Sequence, residues 1–368
     1  MIAHLQLLIL LVVSILVASM TGCAQPNSIT NQELERIDTF VRNEIAFQDI
    51  PGAAIAVVHN GEVIYSAAYG VRDKSSEEPV TTRSVFHTAS VSKTFVATAI
   101  VQLMEKGQID LDEKVTSYLP YFELADPRHR NITIRQILSH TSGMPDVIDY
   151  EWDNPQYDDG AAEQYVRSLK AEKLIFAPGE RAKYSNMAFN VLGDLIAKVS
   201  GLSFEEYVAV NILQPIGMLD SSFNYTKIDK ELTVTGHVGI PAVNSEVYPY
   251  NRQHAPSSTL NSNVEDLSKW MLVNLNRGEL NGVRILDSIS YDLLWTRTPP
   301  SRAVGLSWFL STYNGEATAY HSGGDTGFLS YVNLFPEKDI GVVALVNWDQ
   351  GSARDLALGV ADILVPEN

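Results

Sequence analysis

Ser90-Val91-Ser92-Lys93 stands where an irregular stretch, Ser84 to Ala89, hands over to a run of apolar residues at helical spacing. Phe95, Val96, Ala99, Ile100 and Leu103 fall on one face, which predicts a helix from Lys93 to Lys106 stopped by Gly107. A serine before a helix ordinarily caps it by accepting a backbone N–H bond. A capping box wants Glu or Gln three residues after that serine, where negative charge meets the positive helix end, yet Lys93 occupies this place. The lysine is electrostatically misplaced for stability. Burial and a positive helix end both lower a lysine's pKa, and a neutral amine one turn from a hydroxyl is what activation of a serine nucleophile requires. Function explains the pair better than capping does.

Two further clusters have chemistry of the same kind. Tyr184-Ser185-Asn186 follows Pro178-Gly179-Glu180 and precedes a second helical pattern, Met187 to Ser200, stopped by Gly201. Asn186 is placed to cap that helix and Tyr184 to be a half-buried loop aromatic. In the functional reading, a phenol beside a lysine ammonium gives up its proton and acts as base to the serine, while the amide bonds both substrate carbonyl and lysine. His321-Ser322-Gly323-Gly324 closes a predicted strand and is followed by Asp325-Thr326-Gly327. Glycines after a strand make a bend; they also let a ligand approach the backbone, where an exposed N–H can stabilise an oxyanion.

Ser-x-x-Lys, then Tyr-x-Asn, then a basic residue with hydroxyl and glycine on a late strand together resemble the three-motif site of the serine beta-lactamase and penicillin-binding-protein superfamily, in its class C and D-peptidase or esterase branch. The run Ile132-Thr133-Ile134-Arg135-Gln136-Ile137-Leu138-Ser139-His140-Thr141-Ser142-Gly143 is similar to text that branch carries near its site, and the likeness covers residues 33–365. The resemblance implies that Ser90 attacks, that Lys93 and Tyr184 move its proton and that Asn186 contacts substrate. It also implies that the backbone N–H groups of Ser90 and Gly324 form the oxyanion hole, beside His321, Ser322 and Gly323. His321 stands where the commonest penicillin-active members have Lys. An imidazole is largely neutral at pH 7, so this departure points away from carboxylate-bearing beta-lactams and toward esters, amides or D-amino-acid peptides. His140 is assigned packing or loop bonding and no chemistry.

Outward from these motifs the chain divides simply. Asn31 to Gln48 has helical spacing, and Ala53 to His59 and Glu62 to Tyr69 are β-rich runs joined by Asn60-Gly61, a strong hairpin signal. At the far end Ala317 to His321, Phe328 to Phe335 and Ile340 to Asn347 read as strands, followed by a helix from Ala353 to Val365. Two half-sheets separated by helical patterns imply an α+β, two-lobed fold: the chain ends pair into one antiparallel sheet flanked by helices, and a mainly helical lobe packs against it. The beta-lactamase/transpeptidase-like expectation is a sheet lobe at about 33–85 and 305–365 and a helical lobe at about 86–304, with the site in the cleft between them.

The first residues carry a different message. An apolar run from Leu5 to Ala18 leads into Ser19-Met20-Thr21-Gly22-Cys23, which has the form of a signal peptide ending in a bacterial lipobox. Residues 1–22 are then a leader, Cys23 a lipidated N-terminus and 23–32 a tether; plain cleavage and release, or a retained anchor, are the other outcomes. Cys23 is the only cysteine, so no internal disulfide can form. The expected protein is exported, in the cell envelope, and meets the membrane through its lipid. Its expected partner is a small-molecule or peptidoglycan-type peptide substrate. A net charge of −17 without clustered Lys and Arg excludes nucleic acid. No Walker loop, H-E-x-x-H, G-x-S-x-G or G-x-G-x-x-G occurs, so no metal or nucleotide cofactor is expected. The leading expectation is a hydrolase working through an acyl-Ser90 intermediate; the rival is a penicillin-recognising sensor or inert envelope lipoprotein that acylates or binds without turnover.

Overall fold

The computed structural model describes residues 29–367; the expected leader, Cys23 and most of the tether lie outside that range. Helix α1 (Asn31–Gln48) opens with a capping box, in which the Glu33 N–H donates to Thr30 Oγ1 and the Thr30 N–H donates back to the Glu33 carboxylate. It ends at Asp49 in the left-handed region (φ 57°), whose N–H closes onto the carbonyls of Ile45 and Ala46. The hairpin follows as β1 (Gly52–His59) and β2 (Glu62–Gly70). Late in the chain come β3 (Phe309–Tyr313), β4 (Glu316–Asp325), β5 (Phe328–Phe335) and β6 (Ile340–Val346).

One six-stranded sheet results, in the order β2-β1-β6-β5-β4-β3, with every neighbour antiparallel. The chain ends do pair: Ala53 faces Val346 and His59 faces Ile340 across the β1–β6 ladder. Because side chains alternate along a strand, β1 serves two cores at once. Ala54, Ala56 and Val58 join the cluster under the helical lobe, while Ala53, Ile55 and Val57 join the one under α1 and the closing helix α5 (Ala353–Leu364). A strand covered on both faces reads as an unbroken apolar run, which is what residues 53–58 are.

Between the half-sheets lie α2 (Ser92–Glu105), α3 (Asn186–Ser200) and α4 (Val264–Leu275), with shorter turns and three two-residue ladders. Helix α4 packs across β1 and β6 on the inner face of the sheet. Three details differ from expectation. Strand β3 was not foreseen, although Asn314-Gly315, both at positive φ, make the same hairpin signal as Asn60-Gly61. Strand β4 does not stop at His321: Gly323 pairs with Ser330 and Gly324 with Leu329, so the glycines are sheet and the bend falls at Thr326-Gly327. Helix α3 is capped by Ser185, whose Oγ accepts the Ala188 N–H at 3.0 Å, and Asn186 is its first residue.

Candidate active site

The Ser90-Val91-Ser92-Lys93 motif is delivered by a short antiparallel ladder, Phe86–His87 against Asn261–Ser262, that runs into a single tight turn, Ala89–Val91, and then α2. Ser90 caps nothing: α2 has no side-chain cap. Ala89 is held at φ 46°, a conformation that costs a non-glycine residue free energy and concentrates at functional sites. The turn leaves Ser90 partly exposed while Lys93, one helical turn on, is fully buried.

Lys93 Nζ lies 3.0 Å from Ser90 Oγ, 2.5 Å from Asn186 Oδ1 and 2.6 Å from the Ser257 carbonyl oxygen. The last two oxygens only accept, so they take two of the amine's hydrogens. Neutral Lys93 therefore has its lone pair left for the Ser90 hydroxyl. Burial pulls the lysine pKa down to about 7, against the pull of Asp325 and Asp146, which raise it. Gly193 on α3 makes the Ser257 contact possible: a Cβ there would stand 2.2 Å from Pro256 Cγ, in the turn Ala255–Ser258 that presents the Ser257 carbonyl.

Tyr184 lies over the same amine, with Nζ 4.9 Å from its ring centroid, and Asn186 is fastened by its own N–H, which donates to Asp146 Oδ1 at 2.8 Å. The expectation of a readily ionised phenol is not met. Burial pushes the Tyr184 pKa well above the ordinary tyrosine range, the charges of Asp146 and Asp325 add to the rise, and only its hydrogen bond to Ser90 acts the other way. Of the two expected proton movers, only Lys93 is poised near neutrality. His140 packs against Tyr184 with the rings tilted at 31° and centroids 4.3 Å apart, and accepts the Ser185 N–H at Nδ1 (3.3 Å), so its place is packing and loop bonding.

Strand β4 supplies the opposite wall. Its partner β3 begins at Phe309, opposite Tyr320, so from His321 to Asp325 the strand is paired only with β5. Ser322 and Gly324 are exposed along this edge, whereas His321 and Gly323 are buried. A Cβ on Gly323 would lie 2.2 Å from the Thr88 carbonyl oxygen and 3.1 Å from the Ser90 nitrogen, so only glycine lets the edge close against the nucleophile turn. His321 Nδ1 lies 2.7 Å from the Ser322 carbonyl oxygen, which only accepts, and so carries the hydrogen. Burial, helped by Lys93, lowers the His321 pKa to about 3, and the ring is neutral at pH 7.

The structure thus brings Ser90, Lys93, Tyr184, Asn186 and the 321–324 edge into one cleft. Sequence reasoning missed Asp146, Asp325 and the Ser257 carbonyl. Asp325 stands in a quoted stretch without a role and Asp146 lies three residues past Gly143, but a backbone carbonyl has no sequence signal. Among the described residues no cluster of His, Cys, Asp and Glu is arranged to hold a metal ion.

The family model described as Beta-lactamase matches residues 37–365. Protein flp of Staphylococcus aureus (strain COL) is 29% identical over 323 residues, 87% of this chain and 64% of that protein, so the chain spans just under two thirds of that relative's length. A protein of Escherichia coli (strain K12) named Beta-lactamase is 25% identical, covering 90% of this chain and 92% of its own. The octameric penicillin-binding protein homologue from Pyrococcus abyssi superposes with a TM-score of 0.80 at 26% identity, over 91% of this chain and 78% of that one. With the match running from the first helix to the last and the Ser90, Tyr184 and His321 motifs all inside it, the chain belongs to the beta-lactamase family.

Proposed function

We propose that the protein is a serine hydrolase that forms an acyl-Ser90 intermediate from an ester or amide and releases it to water. The observation that carries this reading is the buried Lys93 amine, with two acceptors fixed and its third direction held by Ser90 Oγ at 3.0 Å. Neutral Lys93 takes the hydroxyl proton as Oγ attacks the carbonyl carbon, and the N–H groups of Ser90 and Gly324 receive the developing oxyanion. The carbon–oxygen or carbon–nitrogen bond then breaks, and a proton passed by way of Tyr184 leaves with the alcohol or amine. Water attacks the ester carbonyl in the reverse sense and frees the acid. Asn186 holds both the amine and the incoming carbonyl.

The neutral His321 offers no permanent cation for a substrate carboxylate, which favours small esters and D-amino-acid peptides over beta-lactams. Envelope placement through Cys23 belongs to the same proposal and suits a cell-wall peptide.

The test is hydrolysis of a short-chain nitrophenyl ester and a chromogenic cephalosporin by residues 24–368, beside Ser90→Ala. Ester kcat should fall by ~10³-fold or more in the variant. In the wild type, kcat/KM should decline below about pH 7, because protonated Lys93 cannot accept the serine proton. Ester turnover unchanged in Ser90→Ala would sink the proposal. One stoichiometric burst with no recovery would mark an acyl-trapping sensor instead.

A further inference from the structure

Asp325 follows Gly324 at the end of β4 and has no part in the chemistry above. Its side chain is 10% exposed. His87 Nε2 lies 2.8 Å from Asp325 Oδ2, and Ser258 Oγ donates to the same oxygen. An ionised carboxylate only accepts, so the imidazole N–H and the hydroxyl are both donors. His87 is the last residue of the ladder that feeds the nucleophile turn, and Ser258 adjoins the Ser257 carbonyl that holds Lys93. One carboxylate therefore joins three elements far apart in sequence: the oxyanion strand, the approach to Ser90 and the turn that anchors the amine.

We propose that Asp325 is a positioning residue for acylation, fastening the oxyanion edge to the nucleophile turn through His87 and Ser258 and supplying the anionic field in which Lys93 works. Its role rests on Ser90 and Lys93 being the acylating pair, and it makes no bond to substrate. Of the two carboxylates that favour the protonated amine, Asp325 acts more strongly than Asp146, whose Oδ1 is already engaged by the Asn186 N–H. The other titratable groups facing Lys93 are His140, His321 and Tyr184; burial holds the imidazoles neutral and keeps the phenol protonated. His254 and Tyr150 also lie within the field of Asp325, and burial keeps both uncharged. The carboxylate is thus the main charge opposing the burial that depresses Lys93.

Asp325→Asn removes the charge and keeps the shape, since the amide still accepts from Ser258 and can donate to the other tautomer of His87. Ser258→Ala keeps the charge and removes one tie. Both are compared with wild type in ester kcat/KM against pH and in the pH dependence of Ser90 labelling by a fluorophosphonate, with folding followed by thermal unfolding. Asp325→Asn should move the acid limb to lower pH by about one unit, because a neighbouring anion no longer stabilises the ammonium. Ser258→Ala should lower the limiting rate about threefold or more with the limb in place, as loosened positioning does. A limb unmoved in Asp325→Asn overturns the proposal, and so does a wild-type limiting rate in Ser258→Ala, which stands as a test even if the first variant does not fold. Labelling that persists in Ser90→Ala overturns the acyl-enzyme reading itself, a separate result.

Discussion

β1 and the last five residues of β4 are the same extended backbone put to opposite uses. β1 has a ladder on each side, with β2 and β6, and is buried on both faces from Gly52 to Val58. From His321 to Asp325, β4 has one ladder only, and alternate residues reach solvent in the cleft. Where pairing is complete the residues are Ala, Ile and Val, and burial of their side chains stabilises the fold. Where it is incomplete they are Ser322, Gly323 and Gly324, which carry little apolar side chain to bury and leave one edge of the backbone without a strand partner. Stability and the proposed chemistry are separated along a single sheet, and the stretch with a ladder on one side only is the one that faces Ser90.

The contrast can be broken most severely at Gly323. Gly323→Ala should lower kcat/KM by about 10²-fold or more, because displacement of the edge by even ~1 Å from Ser90 spoils alignment of the oxyanion donors. Steady-state ester kinetics on folded protein measure this; a near wild-type rate would mean that the edge is not held close. In the complete part of the sheet, Val57→Ala should cost about 1–3 kcal/mol of stability by leaving a void beside its ladder partner Val342 in the core under α1 and α5, with kcat unchanged per folded molecule. Denaturant unfolding beside active-site titration separates the two quantities, and loss of kcat without loss of stability would contradict the division. The smallest effect is expected at Gly193→Ala, which pushes on Pro256 and through it on the Ser257 carbonyl. A drop in kcat of about fivefold with KM unchanged would place that carbonyl among the supports of Lys93.

The same division decides how much could be read beforehand. Helix α1, the β1–β2 hairpin and the pairing of the chain ends were legible because alternation, helical spacing and Asn60-Gly61 are local signals of burial and turning. The pairing of Ser90 with Lys93 was legible because Lys93 contradicts the capping rule, and the joining of Tyr184 and Asn186 to them was legible only through the three-motif resemblance. Strand β3 was overlooked despite Asn314-Gly315, since its half-exposed residues give a weaker alternation. The continuation of β4 through Gly323 and Gly324 was read as a bend because glycine weakens a strand in isolation; here packing against Thr88 and Ser90 demands it. The high pKa of Tyr184, the Asp325 ties and the Ser257 carbonyl depend on neighbours distant in sequence, which no local pattern encodes.

The antiparallel match of Ala53 with Val346 also sets an order of events in time. Ser90 and Lys93 leave the ribosome long before the segment that carries Gly324 and the strand that closes beside β1. A partly synthesised chain therefore has Ser90 and Lys93 without the 321–324 edge beside them, and long-range pairing of this kind is slow to form. The sheet is therefore completed last, when the three late strands β4, β5 and β6 reach the β1–β2 hairpin made at the start of the chain.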